Sequence, residues 1–205
     1  MASSVFAQTF QDVVKVNNAN TKDELDEICK SVNQNYAFNN TPDEIENIIK
    51  QIIETAGLNN RSFKLKQCSN IDNAVAKIIT QNAEDIRYII YDGEWLESIN
   101  NNTNNDWSGK FILAHEIGHH LAGHSLTTGG SKPPLELEAD YFAGKALSNL
   151  GASLEETLAV TKKMNEFGTS THPARAEAAE RGWKSVKNKK TKKIYQFIKI
   201  KTGKS

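Results

Sequence analysis

The 205-residue chain is predicted to fold as an α+β domain, mostly helical, with a small β-sheet beside one helix. Three observations predict it. Capping boxes at Thr21–Glu24, Thr41–Glu44 and Ser153–Glu156 open helices. Three apolar runs between residues 63 and 91 read as strands. The stretch Phe111–His124 sets His115 and His119 four residues apart, which on a helix stacks them on one side.

Taken in order, the elements follow from spacing and punctuation. After Thr21, Leu25, Ile28, Cys29 and Val32 recur at helical spacing, and Asn33–Asn40 reads as a linker. Thr41-Pro42-Asp43-Glu44 adds Pro at the first helical position to a capping box. Ile45, Ile48, Ile49, Ile52, Ile53 and Ala56 then form an apolar stripe read as core, and Gly57 ends the helix. Phe63–Cys68 alternates, Ala74–Thr80 mixes both periods, and Arg87–Tyr91 is continuous enough to be largely buried. Asn100–Asn105 reads as a loop between sheet and metal helix, and Asn101-Asn102-Thr103 is formally a glycosylation sequon. Asp106 or Ser108 is expected to cap the metal helix, with Ile112, Leu113, Ile117 and Leu121 as its apolar residues. Thr127–Pro134 is a turn signal, and a second metal helix runs from about Leu135 to Leu150 before Gly151. Ser153 opens a helix to Phe167, and an Ala-rich helical stretch spans Ala174–Trp183. This gives an N-terminal extension over 1–40, a main domain over 41–183 and a basic tail over 184–205.

The chemistry lies in His115-Glu116-x-x-His119. Two imidazoles one turn apart can grip one ion, and Glu116, one position round, points past the ion, where a base must be to take a proton from water. Two histidines do not complete a site. In the longer His-Glu-x-x-His pattern, Gly and a third His stand seven and ten positions after the first His. Here Gly123 and His124 stand eight and nine positions after His115, out of register by one, about 100° of helix, so His124 cannot fill that role. His120 and His124 therefore read as structural or surface residues. In Leu135–Ala143, Glu136 and Asp140 share a face four residues apart; Glu136 is the expected third ligand, and Asp140 hydrogen-bonds the far nitrogen of a ligating histidine. Glu138 should point away from that face. The competing reading of Glu136 is an exposed acid favoured by the helix dipole. Arg175 is read as pairing with an acidic partner rather than with a substrate carboxylate.

His115-Glu116-x-Gly118-His119 with His124, then Glu136-x-x-Ala139-Asp140, then Ser170-Thr171-His172-Pro173, together resemble the gluzincin metallopeptidases related to HtpX and the CAAX prenyl proteases, over roughly residues 40–183. The soluble bacterial periplasmic and mitochondrial quality-control members are the nearer analogues. The resemblance implies a zincin-like fold and one Zn2+ per chain on His115, His119 and Glu136. It also implies Glu116 as catalytic base, Asp140 behind a ligand, and a substrate aligned as an added strand on the sheet edge, for which Tyr88–Tyr91 is the candidate. It further implies His172 near the metal, steadying an oxyanion or filling the open position; the alternative for His172 is a turn residue. Membrane-embedded relatives have several transmembrane helices and this chain has no stretch long enough for one, so a lipidated or membrane-embedded substrate is not expected.

Hydrophobic content of 38% and charged content of 24% describe an ordinary globular chain. The formal net charge of zero hides an asymmetry: nine lysines and no acidic residue lie from Lys184 onward, leaving 16 basic and 25 acidic groups, a net of −9, in residues 1–183. The tail reads as a solvated or self-docking extension, with contact to an anionic surface as the sharper alternative. Nucleic acid is not an expected partner. Lys193–Lys201 partly alternates, as a terminal strand would. Cys29 and Cys68 form no metal-binding pair motif, and spacing leaves open whether they pair. Met1–Gln8 lacks the basic and apolar regions of a signal peptide, yet Ser4-Val5-Phe6-Ala7 before Gln8 reads like residues preceding a signal-peptidase cut. A longer precursor would make the soluble protein periplasmic or secreted; without one it is cytoplasmic. The expected activity is zinc-dependent endopeptidase action on a peptide or protein substrate. The alternatives are a non-cleaving zinc-binding interaction module and a toxin-like peptidase directed by its tail.

Overall fold

The computed structural model describes residues 42–58, 64–69, 71–81, 84–124, 133–166 and 174–187. The expected helix after Thr21, the turn from Thr127 to Lys132 and the Lys193–Lys201 strand lie outside them. The described elements are α1 (Pro42–Thr55), β1 (Lys64–Gln67), β2 (Ala74–Gln81), β3 (Glu84–Tyr91), α2 (Gly93–Thr103), α3 (Trp107–Leu121), α4 (Pro133–Leu150), α5 (Leu154–Glu166) and a final helix, α6, over 175–187. The architecture is α+β, mostly helical with one three-stranded mixed sheet. Among the described residues no helix is long and apolar enough to cross a membrane.

The apolar stripe of α1 is core, with Ile45, Ile49, Ile52 and Ile53 all buried. Gly57, at φ +76, ends the helix in the left-handed conformation that costs glycine nothing, and Leu58 N–H closes back on Ile53 C=O at 3.3 Å. The three strands form where expected, but their order is β1-β3-β2, with β1 parallel and β2 antiparallel to β3. Tyr88–Tyr91 is therefore not an edge, contrary to the sequence expectation. Ile89, Ile90 and Tyr91 are buried, on both faces of the strand as a central strand requires, and β2 is the edge nearer α3. Ala74, Ala76, Ile89 and Tyr91 join the main core with the helices; Cys68, Val75 and Ile90 form a second small apolar cluster. Cys68 is disulfide-bonded, and Cys29, the chain's other cysteine, lies outside the described residues.

Asp92 fixes the passage from sheet to helices. One carboxylate oxygen accepts from Glu94 and Trp95 N–H, capping α2, and the other accepts from Ile71 and Asp72 N–H in the β1–β2 connection. The stretch Asn100–Asn105 is not the expected loop. Helix α2 runs through it to Thr103 and stops only where Asn104 turns left-handed at φ 49. The same asparagines supply the caps that were expected from Asp106 or Ser108. Asn100 Oδ1 accepts from Gly109 N–H at 2.7 Å and Asn105 Oδ1 from Trp107 N–H at 3.1 Å, whereas Asp106 makes no side-chain cap. Ser108 is buried instead, accepting from Thr103 Oγ1 at 2.7 Å, which also places the sequon threonine inside a helix end.

Helix α3 is buried on most of its surface, and its closest neighbour is α4. Gly118 makes that approach possible: a Cβ there would stand 3.1 Å from Ala139 Cα and 3.2 Å from Phe142 Cβ. Helix α6 meets the other side of α4 in the same manner, since a Cβ on Gly144 would overlap the Ala179 carbonyl and one on Gly182 the Tyr141 carbonyl. The Ser153–Glu156 capping box forms as expected, with reciprocal bonds of 2.7 and 3.2 Å, and α6 runs on past Trp183 to residue 187.

Candidate metal centre

The i, i+4 spacing puts His115 and His119 on the face of α3 that looks at α4, and Gly118, one step round, lets α4 come close enough for Glu136 to reach both. His115 Nε2 stands 3.0 Å from His119 Nε2 and 3.2 Å from Glu136 Oε2; His119 Nε2 stands 3.4 Å from Glu136 Oε1. A tetrahedral ion with bonds of about 2.0–2.1 Å separates its ligand atoms by about 3.3–3.4 Å, so these spacings fit three corners of such a shell. Glu136 is only 6% exposed, which removes the reading of it as a surface acid.

The far nitrogens decide what can lie at the meeting point. His115 Nδ1 lies 2.9 Å from Asp140 Oδ1, an acceptor only, so His115 keeps a proton there, and Nε2 would offer an inward lone pair once a bound cation displaces its own proton. Asp140 is fully buried and Arg175 holds it with two parallel bonds, Nε to Oδ2 at 2.7 Å and the terminal nitrogen to Oδ1 at 2.9 Å. Arg175 is thus the pairing residue the sequence suggested, and its partner is Asp140. His119 Nδ1 faces His124 Nδ1 at 2.9 Å, and His124 Nε2 lies 3.2 Å from Glu138 Oε2. Two nitrogen lone pairs and a carboxylate, aimed at one point, form a site that could hold a metal ion.

Without a metal, the electrostatics favour a proton at this meeting point. Burial alone would lower the pKa of His115, but the charge and hydrogen bond of Asp140 and the hydrogen bond of Glu136 drive it up to about 10. Burial alone would raise Glu136, yet hydrogen bonds from His115 and His119 hold it far below the carboxylate range. Asp140 is likewise held low against its burial, chiefly by Arg175. A pocket that grips positive charge this firmly suits a cation.

Glu116 lies beside the cluster and outside it. Its Oε2 accepts from Ala76 N–H on β2 at 2.9 Å, and burial raises its pKa against the opposing pull of His115 and His119. Antiparallel pairing explains the free amide: Asn73 accepts from Asp92 N–H, so alternate residues 74, 76 and 78 turn their backbone groups away from β3. His120 is structural, as expected. Its Nε2–H donates to Tyr88 C=O at 2.8 Å, pinning α3 to the sheet, and burial pushes its pKa down to about 4. His172 lies outside the described residues.

Sequence spacing missed His124 and Glu138 as parts of the cluster. Helix α3 ends at Leu121, and Gly123, at φ +74, turns the chain so that His124 comes back against His119. Helical register does not extend across that turn. The Gly-His pair after His119 was the available signal. No family model, curated protein or solved structure matches this chain.

Proposed function

We propose that the chain is a zinc-dependent endopeptidase of the gluzincin type on a zincin-like fold, hydrolysing peptide bonds of a peptide or protein substrate. The observation that carries this reading is the convergence of His115 Nε2, His119 Nε2 and both Glu136 oxygens within 3.0–3.4 Å, with Glu116 held beside them by the Ala76 amide. Two imidazoles and a carboxylate are the donor set of an open zinc site. Zinc, when bound there, supplies a Lewis acid and brings the pKa of water toward neutrality.

The remaining work falls to the chain's own residues. Glu116 takes a proton from the attacking water and passes it to the leaving amine; its burial-raised pKa moves it toward the pH at which both transfers are efficient. The outward Ala76 C=O and the backbone groups of Ile78 on β2 would pair with an extended substrate, main-chain bonds giving affinity and side-chain pockets giving preference. Aligned there, the substrate backbone runs beside Glu116.

The test is Glu116→Gln with an unfolded protein as substrate. Cleavage should fall at least ~100-fold with metal content unchanged. Equal cleavage by the variant would remove Glu116 from the chemistry, and a zinc-loaded wild type that cleaves no unfolded chain would leave a binding module.

A further inference from the structure

The two ligating histidines are oriented differently. His115 meets a buried carboxylate directly, whereas His119 meets another histidine. The His124 side chain is only 7% exposed, and its ring stands 5.2 Å from that of His119 at 65°. A surface histidine would leave a nitrogen to water; here Nδ1 lies 2.9 Å from His119 Nδ1 and Nε2 lies 3.2 Å from Glu138 Oε2.

Two facing nitrogens at 2.9 Å need one hydrogen between them. Glu138, as a carboxylate, only accepts, which puts the proton of neutral His124 on Nε2 and leaves its Nδ1 as an acceptor. His119 must then donate from Nδ1, and its Nε2 lone pair faces Glu136 and His115. With both rings neutral, as metal ligation of His119 requires, the chain of bonds has one direction, and it ends at the metal cluster.

We propose that His124 is a positioning residue that fixes the tautomer and ring angle of His119, with Glu138 in turn fixing His124. This deepens the metal-site reading and rests on it. Carboxylate support for a ligating histidine is here relayed through a second imidazole from just beyond the helix. Losing such support weakens metal binding by about 10–100-fold.

The experiment titrates the metal-free full-length protein with Co2+ and reads affinity and visible absorption for wild type, His124→Leu, His124→Asn and Glu138→Gln. Leu offers no acceptor, so binding should weaken ~10–100-fold and the bands should shift. Asn sets Oδ1 where Nδ1 stood and can still accept, so it should return to within ~3-fold of wild type. Glu138→Gln keeps an acceptor and should cost no more than ~3-fold. If the Leu variant matches wild type, or if Asn fails as badly as Leu, the relay is overturned while the metal site stands. If wild type itself binds no Co2+, the metal-site reading falls and the relay with it. Nitrogen-15 NMR of the zinc-loaded wild type tests the relay without a substitution: His119 should carry its proton on Nδ1 and His124 on Nε2. A proton on His124 Nδ1 contradicts it even if the Leu variant does not fold.

Discussion

The cluster has a dry side and a wet side. His115 leans on Asp140, which is fully buried and clamped by Arg175, whereas His119 leans on His124 and through it on Glu138, whose side chain is 63% exposed. Both sides orient an imidazole, but their energetics differ. Three charged or ligating groups taken out of water must be fully paired, because removing one partner strands the others at several kcal/mol. The wet side strands little at its outer end, since water can replace the exposed Glu138 carboxylate. The dry side is therefore expected to couple metal binding to folding, and the wet side to tune metal binding alone.

Asp140→Asn tests this contrast hardest. It leaves the Arg175 charge buried without the Asp140 carboxylate and puts a neutral amide oxygen in place of the charged acceptor that His115 meets. Metal-free protein should lose about 3–5 kcal/mol in urea unfolding. A loss below about 1 kcal/mol would show that Arg175 reaches water and that the dry side is not dry.

His120 sharpens the comparison, because it shares α3 with both sides and belongs to neither. Its folded pKa of about 4 lies below the ordinary 6.5, so an unfolded chain takes the proton first. Its contribution to stability is whole above pH 6.5 and is lost as pH falls toward 4. The loss reaches an order of magnitude of about 3 kcal/mol. In chelator, the unfolding free energy of wild type should fall more steeply across that window than that of His120→Gln. Parallel curves would mean that His120 is not held neutral against Tyr88.

Gly118→Ala acts on both sides at once. Alanine favours a helix by about 1 kcal/mol, but its Cβ would press on the Ala139 backbone at 3.1–3.2 Å. Overpacking of about 1–3 kcal/mol should win, and Glu136 should be displaced from both histidines, visible as weaker Co2+ binding. A more stable variant with unchanged affinity would show that α3 and α4 have room to spare.

How much of this was legible in the sequence follows from how far helical geometry carries. His115, His119, Glu136 and Asp140 pair at four-residue intervals on single helices, so spacing alone placed them. Arg175 could be read as an acid's partner, but only packing through Gly144 and Gly182 brings α6 to Asp140. His124 lay beyond a left-handed glycine, where wheel arithmetic no longer applies, and Glu138 reaches it from the side of α4 that spacing turns away from Glu136. Helix α2 was hidden because asparagines of low helix propensity fill its last turns, and one of them, Asn100, caps α3. The strand order was hidden because a short apolar run does not say which neighbours it has.

The most direct measurement is metal content and Co2+ absorption of the full-length protein beside Glu136→Ala. The expected result is one ion per chain with the intense visible bands of a four-coordinate site, both lost or sharply weakened when the carboxylate is removed. Stoichiometric binding that survives Glu136→Ala with the same spectrum, or a wild type that takes up no metal, would contradict a centre built by two imidazoles of α3 and one carboxylate of α4.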